Sequence, residues 1–168
     1  MVSALCILMM FLTGVFPLLG MTIPIYSGII LLAVYYETDG HWSALSYFAV
    51  ALLSMFITPD KEAAILFIMF FGYYPVLKCS LEKSALNTVL KWLIKFLIFN
   101  VSIITAYRII TDVLGIYDLI DEFGFLGSHL KTKLIFFANA VFVFYDFTIG
   151  MLEQAYLKWF RPIYLRKK

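Results

Sequence analysis

Four ionisable side chains lie inside otherwise apolar stretches in the second half of the chain. Lys91 and Lys95 are four residues apart and Asp146 and Glu153 are seven apart, so each pair falls on one helix face. At about 1.5 Å of rise per residue, two antiparallel spans place Lys95 level with Asp146, and Lys91 level with Glu153. The pattern predicts two intramembrane ion pairs. The alternatives are an ion-coupling route, a structural link between the helices, or lysines that simply extend toward the inner surface.

A second polar group is predicted nearer the outer surface. Asn100 and Asn139 come out at similar depth close to the midplane, with Arg108, Asp60 and Glu62 above them. These five residues predict a polar funnel that opens outward and takes a small-molecule ligand. The alternative is an interhelical hydrogen bond with ordinary interfacial charges above it.

The sequence shows no catalytic constellation. His41 and His129 fall in predicted loops on opposite sides of the membrane, and Cys6 and Cys79 are not at the spacing of a metal site. A glycine-rich loop that would cradle a phosphate is also missing from the sequence. We therefore expect neither an enzyme nor a metal site, and no cofactor.

The elements that must position these residues are membrane helices. The 168 residues are 63% hydrophobic and 14% charged, whereas a soluble domain is about 45–50% apolar and about 25% charged. A span needs about 20 mostly apolar residues. The sequence predicts an all-α integral membrane bundle of about six transmembrane helices, in a single domain over 1–168. The predicted spans are 2–19, 24–36, 42–57, 62–77, 86–110 and 132–157.

Two connections carry clear signals. Thr58-Pro59-Asp60-Lys61-Glu62 predicts a helix start, with Thr58 as the cap and Pro59 in the first helical position. Residues 78–84 form a charged connection. The polar stretch over about 112–130 predicts a short amphipathic segment at the interface.

The distribution of basic residues predicts the orientation. Five of the 13 Lys and Arg lie in the tail 158–168, which indicates a cytoplasmic end and not a nucleic-acid partner. Six spans then place the N-terminus in the cytoplasm as well, with Lys78, Lys83 and Lys91 on the same side. We expect a multi-pass protein of the cell membrane whose main surroundings are the lipid bilayer.

This layout resembles the S components of energy-coupling factor transporters, which are six-helix chains of about this length with both ends inside. The resemblance covers nearly the whole chain as architecture. Locally the chain also resembles uncharacterised small membrane proteins of Gram-positive bacteria. That local likeness rests on Pro59-Asp60-Lys61-Glu62-Ala63-Ala64, Phe71-Gly72-Tyr73-Tyr74-Pro75-Val76-Leu77-Lys78, Tyr145-Asp146 and Arg161-Pro162.

The resemblance implies a substrate-binding subunit for a vitamin-like molecule, with an outward pocket formed by the later helices. It also implies a transmembrane coupling protein and ATPase subunits as partners. S components commonly dock through an Ala-x-x-x-Ala motif on the first helix. In this chain the residue four positions after Ala4 is Leu8, and the two glycines of the first predicted span and its end, Gly14 and Gly20, are six residues apart instead of four. The alternative is a structural or assembly protein of the cell envelope.

Overall fold

Helices make up the regular structure of the described chain. The structure is a computed structural model that describes residues 1–16, 20, 22–38, 40–115 and 130–160, with backbone alone for 130–134 and 159–160. These residues contain no strand, so the predicted all-α class is confirmed. The elements are α1 (Val2–Leu12), α2 (Thr22–Glu37), α3 (Gly40–Ile57), α4 (Lys61–Leu66), π1 (Phe67–Phe71), α5 (Tyr74–Lys83), α6 (Thr88–Arg108), π2 (Ile109–Val113), α7 (Leu130–Ala155) and π3 (Tyr156–Phe160).

The chain forms two compact units. The first is Met1–Ile116 and contains α1 to π2, and the second is Tyr117–Lys168 and contains α7 and π3. The expected single bundle over 1–168 stays a prediction. The predicted interfacial segment over 112–130 lies mostly outside the described residues, which include only 112–115 and 130 of it. The basic tail 158–168 also lies mostly outside them, with only 158–160 described.

In the described part of the chain, four helices are long and apolar enough to cross a bilayer, which indicates a membrane protein. They are Gly40–Ile57, Lys61–Lys83, Thr88–Val113 and Ile135–Lys158. The apolar helices α1 and α2 are shorter, with 11 and 16 residues. The count of six spans therefore stays a prediction.

The first helix is shorter than the predicted span 2–19. It ends at Leu12, and the Thr13 hydroxyl donates to the Met10 carbonyl oxygen at 2.8 Å in the turn that follows. This turn packs on Pro59. A Cβ on Gly14 would lie 2.5 Å from the Cβ of Pro59, so the close approach requires a glycine.

The first four helices enclose the apolar core of the first unit. Small and medium side chains fill most of it: Cys6, Met10, Ile23, Leu31, Val50, Ala51, Ala64 and Phe67. Other large apolar side chains of α3 point away from this core, including Trp42, Leu45, Phe48, Leu52 and Phe56. Exposed apolar surface of this kind is what a helix presents to lipid.

The helix that follows the Pro59 turn starts and ends differently from the prediction. Asp60, not Thr58, is the N-cap, and its carboxylate accepts from the Ala63 N–H at 3.0 Å. The helix does not end near residue 77, because α5 continues to Lys83 and includes most of the expected connection. Within it, π1 replaces α-helical geometry, and Gly72 N–H bonds to the Phe67 carbonyl oxygen at 2.8 Å.

Pro75 accounts for the break between π1 and α5. Proline has no N–H, so the Phe71 carbonyl oxygen loses its usual donor four residues on. Gly28 of α2 lies against this carbonyl, and a Cβ on Gly28 would come within 2.9 Å of the Phe71 carbonyl carbon and closer still to its oxygen. The α2 backbone therefore packs directly against the irregular part of the helix.

In the second unit, α7 has one buried face. Phe142, Tyr145, Asp146 and Ile149 are all buried, and their spacing places them on one side of the helix. Phe136, Phe144 and Phe147 are exposed, at 78%, 76% and 68%. A mostly apolar helix with a carboxylate, Asp146, among the buried residues of one face fits an intramembrane segment.

Candidate functional site

The Glu82 cluster, formed by Lys78, Glu82, Lys91 and Lys95, lies where α5 ends and α6 begins. The Lys95 Nζ donates to Glu82 Oε1 at 3.1 Å, and the Lys78 Nζ lies 3.7 Å from the same oxygen. Lys78 and Glu82 are one helical turn apart, whereas Lys95 comes from the next helix. A single carboxylate oxygen thus receives ammonium groups from two helices.

Burial differs sharply across this cluster. The side chains of Lys78 and Lys95 are 3% and 5% exposed, whereas that of Glu82 is 44% exposed. Burying an ammonium group is costly unless a counter-charge accompanies it. Glu82 lies at the rim and provides negative charge to both buried lysines, so the cluster leads from the surface into the protein.

Two further contacts fix the lysines of α6. Lys95 lies over the Trp92 ring with its Nζ 5.0 Å from the ring centroid, a cation–π geometry. Lys91 donates to the backbone carbonyl oxygen of Glu82 at 2.8 Å. That carbonyl is among the last four of α5, which have no partner inside the helix, so Lys91 caps α5.

Lys83 lies on the other side of the α5 end, against α2. Its Nζ is 4.7 Å from the Tyr35 ring centroid and 5.2 Å from that of Tyr36, and it donates to the Tyr35 hydroxyl at 3.3 Å. The Tyr36 hydroxyl donates to Cys79 Sγ at 3.6 Å. Tyrosines beside lysines at the helix ends are typical of a membrane interface.

The structure brings Lys91 and Lys95 of the predicted ion pairs together around Glu82. Asp146 is buried at 5% exposure and Glu153 is half-buried, both on α7. The predicted pairs Lys95–Asp146 and Lys91–Glu153 each join the two units, and they stay predictions.

Most residues of the predicted funnel have local hydrogen bonds. Asp60 caps α4, and the amide groups of Asn100 and Asn139 donate to the Phe96 and Ile135 carbonyl oxygens, each four residues back and at 2.8 Å. Glu62 is half-buried in the first turn of α4, and Arg108 is exposed at the end of α6.

Three residues of the predicted funnel belong to segments that pack against each other. The segment α4, which begins just after Asp60, packs against α6 and π2, and Arg108 joins those two elements. The three charged residues of the funnel thus come from neighbouring segments of the first unit. The proximity of Asn100 and Asn139 involves both units and stays a prediction.

Hydrogen-bonded tyrosine and serine side chains in the interior of the first unit are a feature that the sequence does not predict. The Tyr47 hydroxyl donates to the Ile68 carbonyl oxygen in π1 at 2.6 Å, and the hydroxyls of Tyr73 and Ser102 are 2.8 Å apart. The Tyr47 and Tyr73 rings meet edge to face, with their centroids 5.9 Å apart. These contacts link α3, the irregular helix and α6.

Glu82 is the other functional candidate that sequence reasoning missed. Its signal is the spacing from Lys78, because a glutamate and a lysine four residues apart pair when the segment is helical. A charged connection over 78–84, as expected from the sequence, would not bring these two side chains together.

Among the residues that the structure describes, no group of three His, Cys, Asp or Glu side chains could hold a metal ion. Comparison of the chain with family models, with curated proteins and with solved structures gives no match.

Proposed function

We propose that the chain spans the membrane six times with both termini in the cytoplasm, and that it is the substrate-binding, S-type component of a small-molecule uptake transporter. In this proposal a transmembrane coupling protein and ATPase subunits supply the energy. The chain itself binds its ligand without chemical conversion.

The packing of α4 beside the end of α6 carries this proposal. Asp60, Glu62 and Arg108 belong to, or directly flank, these neighbouring segments. Carboxylates with a guanidinium group at the mouth of an apolar bundle suit a small ligand that carries both charges. The proposed six-helix layout also resembles that of S components, which supports the proposal.

A ligand screen on the detergent-purified full chain tests the proposal. A ligand present at 100 times its dissociation constant stabilises the folded protein by about 2.7 kcal/mol. We expect one vitamin-like molecule of a broad panel to raise the unfolding temperature, and Arg108→Ala to abolish the rise. Thr148→Ala is the matched control, because its hydroxyl bonds only within α7, to the Phe144 carbonyl oxygen. A hit that is insensitive to Arg108→Ala would contradict the proposed site.

One observation favours a second candidate, a structural or assembly protein of the cell envelope. Asp60, Asn100 and Asn139 all make side-chain hydrogen bonds with the backbone of their own helices. Polar groups used in this way build helices and support a scaffold. Purification with partners in mild detergent separates the candidates, since an ATPase pair with its coupling protein supports transport, whereas envelope-synthesis proteins support a scaffold.

A further inference from the structure

We propose that the end of the first unit that carries Lys83 and Lys91 binds the headgroup phosphates of anionic phospholipids. Lys83 and Lys91 flank the last turn of α5, one toward α2 and the other toward α6. This site lies apart from the region of Asp60 and Arg108 and does not depend on the transport proposal. It requires only that the chain resides in a bilayer.

The partners of these two lysines leave their charge available. Lys83 contacts the Tyr35 hydroxyl and two tyrosine rings, and Lys91 contacts a backbone carbonyl oxygen. Within the described ranges neither lysine forms an ion pair with a carboxylate. Neutral partners hold both ammonium groups in place without cancelling their charge, so both attract an anion, although the half-exposed carboxylate of Glu82 at the same end offsets part of that attraction.

The start of α6 adds positive potential beside Lys91. The N-cap Asn87 makes no side-chain cap hydrogen bond, and the first turn contains no acidic residue. A lysine close to the positive end of a 21-residue helix is locally unfavourable. A bound anion relieves this conflict, which supports the choice of a negatively charged occupant.

Exposed apolar side chains at this end of α6 favour a lipid over a soluble anion. Leu86, in the connection before α6, is 39% exposed, and Val89, Leu90 and Leu93 of α6 are 71%, 43% and 61% exposed. The spacing of the last three sets them along the side of α6 that is turned away from Lys91. Tyr35, Tyr36 and Trp92 provide the aromatic groups common at headgroup level. A lipid whose acyl chains lie along this apolar side has its headgroup at the level of the lysines at the helix end. Basic clusters next to membrane helices recognise anionic lipids by the same chemistry.

Lipid retention tests the proposal directly. The full chain is reconstituted into nanodiscs of equal parts phosphatidylglycerol and phosphatidylcholine, extracted in mild detergent and examined by native mass spectrometry. We expect preferential retention of phosphatidylglycerol. Each lysine contributes about fivefold in affinity, so Lys83→Gln with Lys91→Gln weakens retention about 25-fold. Lys83→Arg with Lys91→Arg keeps the charges and keeps the preference.

Two further arms separate the alternatives. Lys61→Gln also removes one cation from the first unit but lies at the start of α4, so it preserves the preference if the site is local. Equal retention of the two lipids, or unchanged retention in the double glutamine variant, overturns the proposal. Inorganic phosphate that displaces phosphatidylglycerol, and stabilises the protein in pure phosphatidylcholine discs, identifies a soluble anion and overturns the lipid assignment.

Discussion

Glu82 holds an unusual position, because its half-exposed carboxylate serves two ammonium groups that are almost fully buried. Each lysine alone would carry a desolvation cost of several kcal/mol. The carboxylate offsets part of that cost while it remains partly hydrated. Because the Glu82 side chain is half-exposed and glutamine has nearly the same shape, Glu82 can be replaced by glutamine without a steric change.

We expect Glu82→Gln to lower the free energy of unfolding by about 1–3 kcal/mol. The lower end reflects the solvent screening at the exposed carboxylate, and the upper end reflects the loss of one negative charge beside two buried ammonium groups. Denaturant titration in one detergent measures the change. Asp112→Asn removes the same charge from an exposed side chain in π2 and keeps an oxygen that can accept from the Thr111 hydroxyl, so it should change stability by less than about 0.5 kcal/mol. Equal effects of the two variants would argue against a structural ion cluster.

Gly28 provides a second prediction for a single residue. Gly28→Ala places a Cβ against the Phe71 carbonyl, where backbone atoms cannot move aside cheaply. We expect a loss of about 1–3 kcal/mol in the free energy of unfolding. Gly40→Ala is the matched control, because its Cβ would meet only Tyr35 Cε2 at 3.8 Å. A wild-type midpoint for Gly28→Ala in the same titration would show that α2 does not pack this closely.

Among the elements, the Lys61–Lys83 helix stands out for its irregular centre. Pro75 removes one donor, and π1 shifts the hydrogen bonds ahead of it so that Gly72 N–H bonds to the Phe67 carbonyl. Tyr47 of α3 then donates to the Ile68 carbonyl. A side chain from a neighbouring helix thus supplies a hydrogen bond at the irregular segment.

Tyr47→Phe tests this support. The variant keeps the ring and removes the donor to the Ile68 carbonyl, so we expect a loss of about 1–2 kcal/mol in the free energy of unfolding. Thermal unfolding in detergent should show a lower midpoint. Tyr26→Phe makes the same change on a 56% exposed side chain of α2, and its midpoint should stay at that of wild type.

Much of this element could be predicted from the sequence, but its end could not. The Pro59–Glu62 signal located the start within two residues, since the cap is Asp60 and not Thr58. Gly72-Tyr73-Tyr74-Pro75 is typical of a helix end, and in a soluble protein the helix would often stop there. Here Gly72 and Pro75 pack against neighbouring helices, and α5 continues to Lys83. Such packing depends on residues distant in sequence.

The candidate site, too, could be predicted only in part, because some of its contacts depend on residues distant in sequence. The sequence alone identified Lys91 and Lys95 as functional candidates, because charges in apolar helices stand out by type. Glu82 was missed because its role depends on a helix that was expected to end before it. The local hydrogen bonds of Asn100 and Asn139 also needed the structure, since an amide can bond along its helix or across to another.

At the scale of the whole molecule, the two ends of the first unit differ in the number of basic residues that they carry. Among its described residues, Lys78, Lys83, Lys91 and Lys95 cluster near the α5–α6 connection, whereas Lys61 and Arg108 lie toward the other end. Basic residues concentrate on the cytoplasmic side of membrane proteins. The asymmetry supports the orientation in which the α5–α6 connection faces the cytoplasm.

Labelling of single introduced cysteines tests this orientation. In intact cells, we expect a membrane-impermeant maleimide to label Asp112→Cys, and to label Ala85→Cys and Glu37→Cys only after the cells are opened. All three positions are exposed. The wild-type chain is the control, because Cys6 and Cys79 are 0% and 1% exposed and should react little. Labelling of Ala85→Cys and Asp112→Cys from the same side would mean that α6 does not cross the membrane.

The π1 segment also determines where the chain could lose a residue between Asp60 and Glu82. Its hydrogen bonds join residues five apart instead of four, so this turn holds one residue more than an α-helical turn. Deleting one residue from Phe67–Phe71 would therefore restore α-helical bonding and leave Lys78 and Glu82 facing nearly the same direction, toward Lys95. Deleting one residue between Pro75 and Lys78 would instead rotate Lys78 and Glu82 by about 100° away from Lys95, because each α-helical residue advances the direction of the next by that angle. A one-residue deletion should thus be tolerated in the 84–87 connection and in the π turn, and rejected in the α-helical turn that follows Pro75.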